Sequence, residues 1–234
     1  MNDHEMYLQP VAEAAPDVRA RFLRRVALLT LGGLVLTAVS ALVSMMTITP
    51  WVFGGGTWAV LGVVYGAFFG AQILGRRMVY GASKAGGLVL GAVLQGVALS
   101  FLLVMALVSA APGEGLALIG YALLMVVLSV AAMLLYVTQE RREFSMLRAG
   151  LTMLGIPMLI MMGLQLVLPM DGMLGVVVSG VFLAVSVGAL LYTLNKVIHE
   201  FPAEASSEAA FELTIGIVVF FWNLLSFLMR LRRR

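Results

Sequence analysis

Residues 26–46 read VALLTLGGLVLTAVSALVSMM, a run that contains no charged side chain. As an α-helix this run is about 30 Å long, which matches the hydrocarbon thickness of a bilayer. Hydrophobic residues make up 62% of the chain and charged residues only 12%, a balance too apolar for a soluble domain. The sequence therefore predicts a multi-pass membrane protein. Further apolar blocks of similar length occupy residues 57–75, 85–111, 116–138, 149–168, 173–194 and 209–229.

The apolar blocks are continuous, whereas the strands of a membrane β-barrel would alternate between apolar and polar residues. We therefore predict an all-α polytopic membrane protein with about seven transmembrane helices. Residues 1–25 are interpreted as a flexible, polar and basic cytoplasmic tail, and residues 26–234 as a single transmembrane helical domain. The segment 47–56 contains a proline and three consecutive glycines, which predicts a loop.

The distribution of arginine and lysine predicts the orientation of the chain. Basic residues flank the first block and follow the second and fourth blocks, while the intervening loops carry only Glu114 and Asp171 as charges. Cytoplasmic loops are enriched in basic residues, so the N-terminus is expected in the cytoplasm. The last block ends in four arginines, so it either crosses the membrane against this rule or returns on the same side; we expect a crossing. The short loops favour a bacterial cell membrane, with an organelle membrane as the alternative.

Several function classes lack the residues that they require. The chain has no cysteine, and it contains no basic helix or aromatic platform for nucleic acid. Motifs of serine hydrolases, zinc proteases and phosphate-binding loops are missing from the sequence, and His199 has only the distant His4 as a possible partner. We therefore expect no enzyme, no cofactor, no bound metal and no nucleic-acid partner. The expected partner in every case is the lipid bilayer.

The acidic residues are interpreted as lying outside the apolar blocks, so that the spans carry no carboxylate. Glu200, Glu204, Glu208 and Glu212 recur every four residues around the start of the last block. On a helix the last three form one stripe, which is a candidate mouth for a cation path. Two simpler interpretations remain open. Acidic residues complement the dipole at a helix N-terminus, and a solvated helix face shows the same spacing.

Glycines at a spacing of four predict close helix packing. Gly62, Gly66 and Gly70 share one face of the second block, and Gly87 and Gly91 repeat this spacing in the third. Small residues let two backbones approach in a membrane, where lipid removes the hydrophobic force between helices. A flexible helix that lines a pore is the alternative interpretation.

Four short segments resemble one known family. Residues 138–147 (TQERREFSML), 87–91 (GLVLG), 191–195 (LYTLN) and 221–225 (FWNLL, followed by Arg230) are similar to motifs of the Bax inhibitor-1, or transmembrane Bax inhibitor motif, family. The resemblance covers most of the chain in the right order. It implies a seven-helix membrane fold whose last helix is central. It also implies roles in calcium leak, pH-dependent gating, suppression of cell death and, in bacteria, modulation of a membrane-bound protease.

The chain departs from this family at the pH-sensing site, which in the calcium-leak members is a pair of aspartates on the last two spans. Thr193 stands at the first aspartate position and Phe220 falls near the second, and neither side chain can share a proton or bind calcium as a carboxylate does. Arg230 matches the last-span arginine of the family. The candidate path or polar-network residues are Thr193, Asn195, Asn223, Arg230, Glu204, Glu208 and Glu212.

Two functions remain open at this point. The first is an ion leak or ion homeostasis protein, with calcium or protons as the ion and without the usual aspartate pair. The second is a non-transporting membrane regulator that binds another membrane protein, such as a quality-control protease.

Overall fold

Six long helices form the described part of the protein. The computed structural model describes residues 10–81, 83–109, 111, 113–139, 151 and 172–232. No strand is present within these ranges, so the all-α prediction is confirmed. The predicted block 149–168 lies outside the described residues, apart from residue 151. The helices that are long and apolar enough to cross a membrane are α1 (Pro16–Gly54), α2 (Thr57–Val79), α3 (Lys84–Ser109), α4 (Glu114–Gln139), α5 (Gly172–His199) and α6 (Ser206–Arg232).

Helix α1 is longer at both ends than the sequence predicts. It begins at Pro16, whose fixed φ suits the first turn of a helix, so residues 16–25 are helical where a flexible tail was expected. It continues through Pro50 to Gly54, so the predicted loop 47–56 is wrong over most of its length. A membrane helix can tolerate an internal proline because neighbouring helices and Ser or Thr side chains can satisfy the backbone groups that the proline frees. The turn follows at Gly56, which has a φ of 82°.

Helices α1, α3 and α6 begin at one end of the bundle, which we call the basal end. Just before α1, the amide of Val11 donates to the carbonyl of Phe201, which precedes α6, at 2.9 Å. Lys84, the first residue of α3, pairs with Glu208 in the first turn of α6 at 2.8 Å. The three helices therefore run parallel to one another.

The last helix reaches the opposite, apical end. Its last residue, Arg232, forms an ion pair with Glu114, the first residue of α4. Nearby, Arg230 Nη1 donates to the carbonyl of Gly175 in the first turn of α5, at 3.1 Å. Helix α6 therefore crosses the whole bundle, as expected, and the alternative that it returns to its starting side is wrong.

Helix α6 is also the centre of the bundle. It packs against α1, α3, α4 and α5 and against the basal end of α2. Its buried side chains include Leu225, Phe220 and Phe221, and Leu225 is fully buried. The predicted central position of the last helix is confirmed among the helices that the structure describes.

Gly87 and Gly91 lie at close helix contacts. A Cβ on Gly87 would lie 2.5 Å from Cγ2 of Val79 in α2 and nearer still to the Val79 backbone nitrogen. A Cβ on Gly91 would lie 2.5 Å from Cε2 of Phe211 in α6. Glycine at these two positions therefore lets α3 approach both neighbours.

The three α2 glycines that the spacing of four singled out behave differently from Gly87 and Gly91 of α3. A Cβ added to Gly62 or Gly66 would meet no described atom within 4 Å, and one on Gly70 would make an ordinary contact of 3.4 Å with Leu94. Within the part of the chain that the structure describes, these three glycines therefore mediate no close helix contact. Gly75, further along α2, does lie at one, since a Cβ there would be 3.2 Å from Cα of Gly91.

Candidate functional site

A network of charged side chains lies at the basal end around Glu212. Lys196 Nζ of α5 is 3.2 Å from Glu212 Oε2 and 3.5 Å from Oε1. Arg76 Nη2, at the end of α2, is 3.5 Å from Oε1, and the hydroxyl of Tyr80 donates to the same oxygen. The Glu212 side chain is only 16% exposed. We call these four residues the Glu212 cluster; its ion pairs and hydrogen bonds join three helices to the segment that follows α2.

Aromatic rings support the two cations of this cluster. The Arg76 guanidinium lies 5.5 Å from the centre of the Tyr80 ring, and Lys196 Nζ lies 4.8 Å from the centre of the Phe201 ring. A cation over an aromatic face is attracted by the ring quadrupole. Each positive charge is therefore positioned by an aromatic ring as well as by the carboxylate.

The Tyr80 hydroxyl is stabilised in its protonated form. Burial raises the pKa of Tyr80, and its hydrogen bond to the Glu212 carboxylate raises the pKa further. Tyrosine in an unfolded chain titrates near a pKa of about 10. As the pH rises past that value, the unfolded chain loses the Tyr80 proton while the folded chain keeps it, so the folded state loses stability.

Replacing Tyr80 by phenylalanine is therefore expected to flatten the decline of stability at alkaline pH. The free energy of unfolding would be compared for the two proteins on either side of about pH 10, the ordinary tyrosine pKa. Tyr121→Phe, a substitution of an exposed tyrosine in α4, serves as the control. Equal slopes for the wild type and Tyr80→Phe would contradict the assignment.

A second carboxylate lies one helical turn before Glu212. Glu208 is 7% exposed and its Oε1 is 2.8 Å from Lys84 Nζ. Its other oxygen, Oε2, is buried and has no hydrogen-bond partner among the described residues. An unpaired carboxylate oxygen in a buried setting favours a cation or a donor that approaches it. The central helix therefore carries two inward-facing acids at its basal end.

The prediction that the spans carry no carboxylate is wrong. Glu208 and Glu212 both lie within α6, where pairing with cations from α2, α3 and α5 offsets part of the cost of burial. The interpretation of the stripe as a solvated helix face also fails for Glu208 and Glu212, because both side chains are largely buried. Glu204 differs, since it precedes α6 and is exposed, so it does not extend the inward-facing stripe.

Two further candidates lie on α5 near this cluster. Asn195 is 4% exposed, and its Oδ1 has no partner in the described structure. Its backbone carbonyl is 3.2 Å from His199 Nδ1. The hydroxyl of Thr193 donates a hydrogen bond to the carbonyl of Ala189 at 2.9 Å. Thr193 therefore bonds within its own helix and not to the Glu212 cluster.

Asn223 and Arg230 use separate partners. Asn223 Nδ2 donates to the carbonyl of Val219 in its own helix at 3.0 Å. Arg230, at the apical end, donates to the start of α5. Arg230 therefore links the two last described helices at the end opposite to the Glu212 cluster.

A seam of hydroxyl groups between α1 and α3 was missed by sequence reasoning. The Ser100 and Thr49 hydroxyls are 2.9 Å apart, and Ser100 also lies 3.1 Å from Ser44. Ser40 donates to the carbonyl of Val93 at 2.9 Å. The sequence does contain a pattern that could have predicted this seam, because small and hydroxyl residues recur at helical spacing along α1. The buried residues of this pattern are Thr30, Gly33, Thr37, Ala41 and Ser44.

Gln95 lies next to this seam with its amide unsatisfied. The side chain is 1% exposed, and neither Nε2 nor Oε1 has a hydrogen-bond partner among the described residues. At the following position, a Cβ on Gly96 would lie 2.5 Å from the carbonyl oxygen of Thr37, which shows how closely α3 approaches α1 here. A buried amide without a partner costs about 1–3 kcal/mol.

Replacing Gln95 by methionine, which is close in size and apolar, is therefore expected to raise the free energy of unfolding by about 1–3 kcal/mol. The midpoint of thermal unfolding in detergent would measure the gain. Ser100→Ala is the comparison, because Ser100 is equally buried and hydrogen-bonded and its loss should destabilise the protein. A lower midpoint for Gln95→Met would show that the amide is satisfied in the membrane.

The arrangement lacks the usual features of a metal centre. No group of three or more histidine, cysteine or acidic residues lies close enough to hold a metal ion in the described ranges. The basal end instead offers paired acids and bases on different helices.

The comparison with known families agrees with this architecture. The family described as "Inhibitor of apoptosis-promoting Bax1" matches residues 19–233, which include all of the helices given above except the first residues of α1. Among individual curated proteins, none matches the sequence. The family match covers nearly the whole chain. It names the same family that the four short motifs resemble. The protein belongs to the Bax inhibitor-1 family.

Proposed function

We propose that this protein is an ion-leak or ion-homeostasis protein, with calcium or protons as the ion, and that the Glu212 cluster closes its path at the basal end. The observation that supports the proposal is the pair of inward-facing carboxylates, Glu208 and Glu212, on the central helix. Each is paired with a cation that belongs to another helix.

The chemistry of the two acids suits a cation path that is closed by ion pairs. Carboxylate oxygens are the ligands that calcium prefers, and their attraction for a cation grows where water is excluded. In the closed arrangement Lys196 and Arg76 occupy the space around Glu212 and supply the opposing charge. A movement of α2 or α5 away from α6 would remove these cations and leave the carboxylates available to an ion.

The positive-inside rule assigns the basal end to the cytoplasm, since the arginines of the N-terminal flank and of the α2–α3 connection lie there. In this orientation the proposed closure acts at the cytoplasmic mouth of the path. The protein would be a multi-pass cell membrane protein with a cytoplasmic N-terminus, and the proposal assigns it no catalytic activity.

Reconstitution in liposomes that contain a calcium-sensitive dye tests the proposal. We expect a calcium-dependent signal from the wild-type protein, measured at several values between about pH 5 and pH 8, the range in which proteins tend to be most stable. Empty liposomes and liposomes with Glu208→Gln/Glu212→Gln protein are the controls. Absence of any leak over this range would reject the ion-path function.

A second function is favoured by the same ion pairs. Glu212 faces two cations and Glu208 faces one, so in this arrangement neither is a bare carboxylate. A locked basal end would suit a non-transporting regulator that binds another membrane protein, such as a quality-control protease. Chemical crosslinking in native membranes would separate the two functions: recovery of the protein alone would argue against the regulator.

A further inference from the structure

A groove on the outer face of α2 lies beside the Glu212 cluster. Its lining consists of Gln72, Ile73, Arg76, Arg77 and Tyr80. The groove forms where α2 changes into a π-helical turn, Ala71–Gly75, before it ends in the short segment Arg76–Val79. A π-helical turn inserts an extra residue into an α-helix and is frequently found at functional sites.

The side of the groove farther from the basal end is apolar and exposed. Ile73 is 64% exposed and Leu74 is 52% exposed, and Phe69, further along α2, is 37% exposed. In a protein that spans a bilayer, large apolar side chains on the outer face contact acyl chains. The groove therefore continues into a surface that fits a lipid tail.

The basal side of the groove is positively charged. Arg76 is 62% exposed and already interacts with Glu212, while Arg77 is exposed and has no carboxylate within ion-pair distance in the described residues. The Gln72 amide adds a neutral donor to the lining. Arginine binds phosphate oxygens through its planar set of N–H donors, so this side of the groove complements an anionic phosphate group.

From these observations we propose that the α2 groove is a binding site for one anionic phospholipid. Arg77, assisted by Arg76, binds the headgroup phosphate, and Ile73, Leu74 and Phe69 contact an acyl chain. Charge and exposed apolar surface meet near the basal end of α2, and a phospholipid carries both chemistries in the same order. This assignment concerns lipid binding alone and does not depend on the ion-path function.

Native mass spectrometry of the full chain in detergent tests the site, with phosphatidylglycerol and phosphatidylcholine as competing probes. The wild type should bind phosphatidylglycerol preferentially. Arg77→Gln should lower this preference by roughly fivefold, the effect of about one basic residue at a membrane surface. Arg77→Lys, which keeps the charge, should retain most of the preference.

Arg25→Gln is the matched control, because Arg25 is an exposed arginine of α1 outside the groove. Its preference should equal that of the wild type. An equal loss in Arg25→Gln, or no preference in the wild type, would overturn the proposal. Displacement of the lipid by soluble glycerol phosphate at the same concentration would also overturn it, because the acyl contacts would then contribute nothing.

Discussion

Substitution of Gly87 by alanine is expected to destabilise the bundle by about 1–3 kcal/mol, the usual cost of overpacking a closely packed contact. The added Cβ would press on the backbone of α2, lying 2.7 Å from the carbonyl oxygen of Gly75 and close to Val79. Backbone atoms cannot move aside as the end of a flexible side chain can. The loss would appear although alanine is itself the better helix former.

Gly62→Ala is the matched control for this prediction. Both glycines lie within membrane helices at a spacing of four from another glycine, but Gly62 faces open space. Alanine at this position should raise stability by up to about 1 kcal/mol through helix propensity. Thermal unfolding in detergent measures both changes. Effects of equal sign and size at the two positions would contradict the packing described for α2 and α3.

Substitution of Lys196 by glutamate is expected to destabilise the contact between α5 and α6. The new carboxylate would face Glu212 across the present Lys196–Glu212 distance of 3.2 Å, so attraction becomes repulsion. Losing one partner of a fully buried pair costs about 3–5 kcal/mol. Because the Lys196 and Glu212 side chains are 29% and 16% exposed, the free energy of unfolding should fall by a smaller amount, roughly 1–3 kcal/mol.

The same substitution should increase calcium entry into liposomes, since it separates α5 from α6 and adds an oxygen ligand for the ion. Lys84→Gln provides a comparison, because Lys84 lies at the same end but is 51% exposed and pairs with Glu208. Its effect on stability should be smaller. A Lys196→Glu protein as stable as the wild type would show that the Glu212 cluster contributes nothing to closure.

The spans could be predicted from the sequence because they depend on composition, whereas the central position of the last helix was implied only by the resemblance of the motifs to a known family. A block such as 26–46 has no stable location other than lipid. The ends of the helices were harder to place. Pro50 and the glycines after it resemble a loop in sequence, yet α1 continues to Gly54 because a membrane helix retains its backbone bonds wherever it can.

The partners of individual side chains could not be predicted, because they depend on which helices become neighbours. Gly62 and Gly87 have the same local pattern, but only Gly87 meets another backbone. Glu212 is a candidate from the sequence because glutamates recur every four residues up to it. Its cations, Lys196 and Arg76, lie in two other helices, so no spacing along the chain indicates that they meet.

The most direct test of the account is the calcium leak of the charge-swapped protein. Lys196→Glu alone should leak faster than the wild type, whereas Lys196→Glu/Glu212→Lys, which restores opposite charges with their positions exchanged, should return the rate toward the wild-type value. Both proteins would be compared in the same dye-filled liposomes at equal protein content. A double variant that leaks as fast as the single one would contradict closure by the pair between α5 and α6.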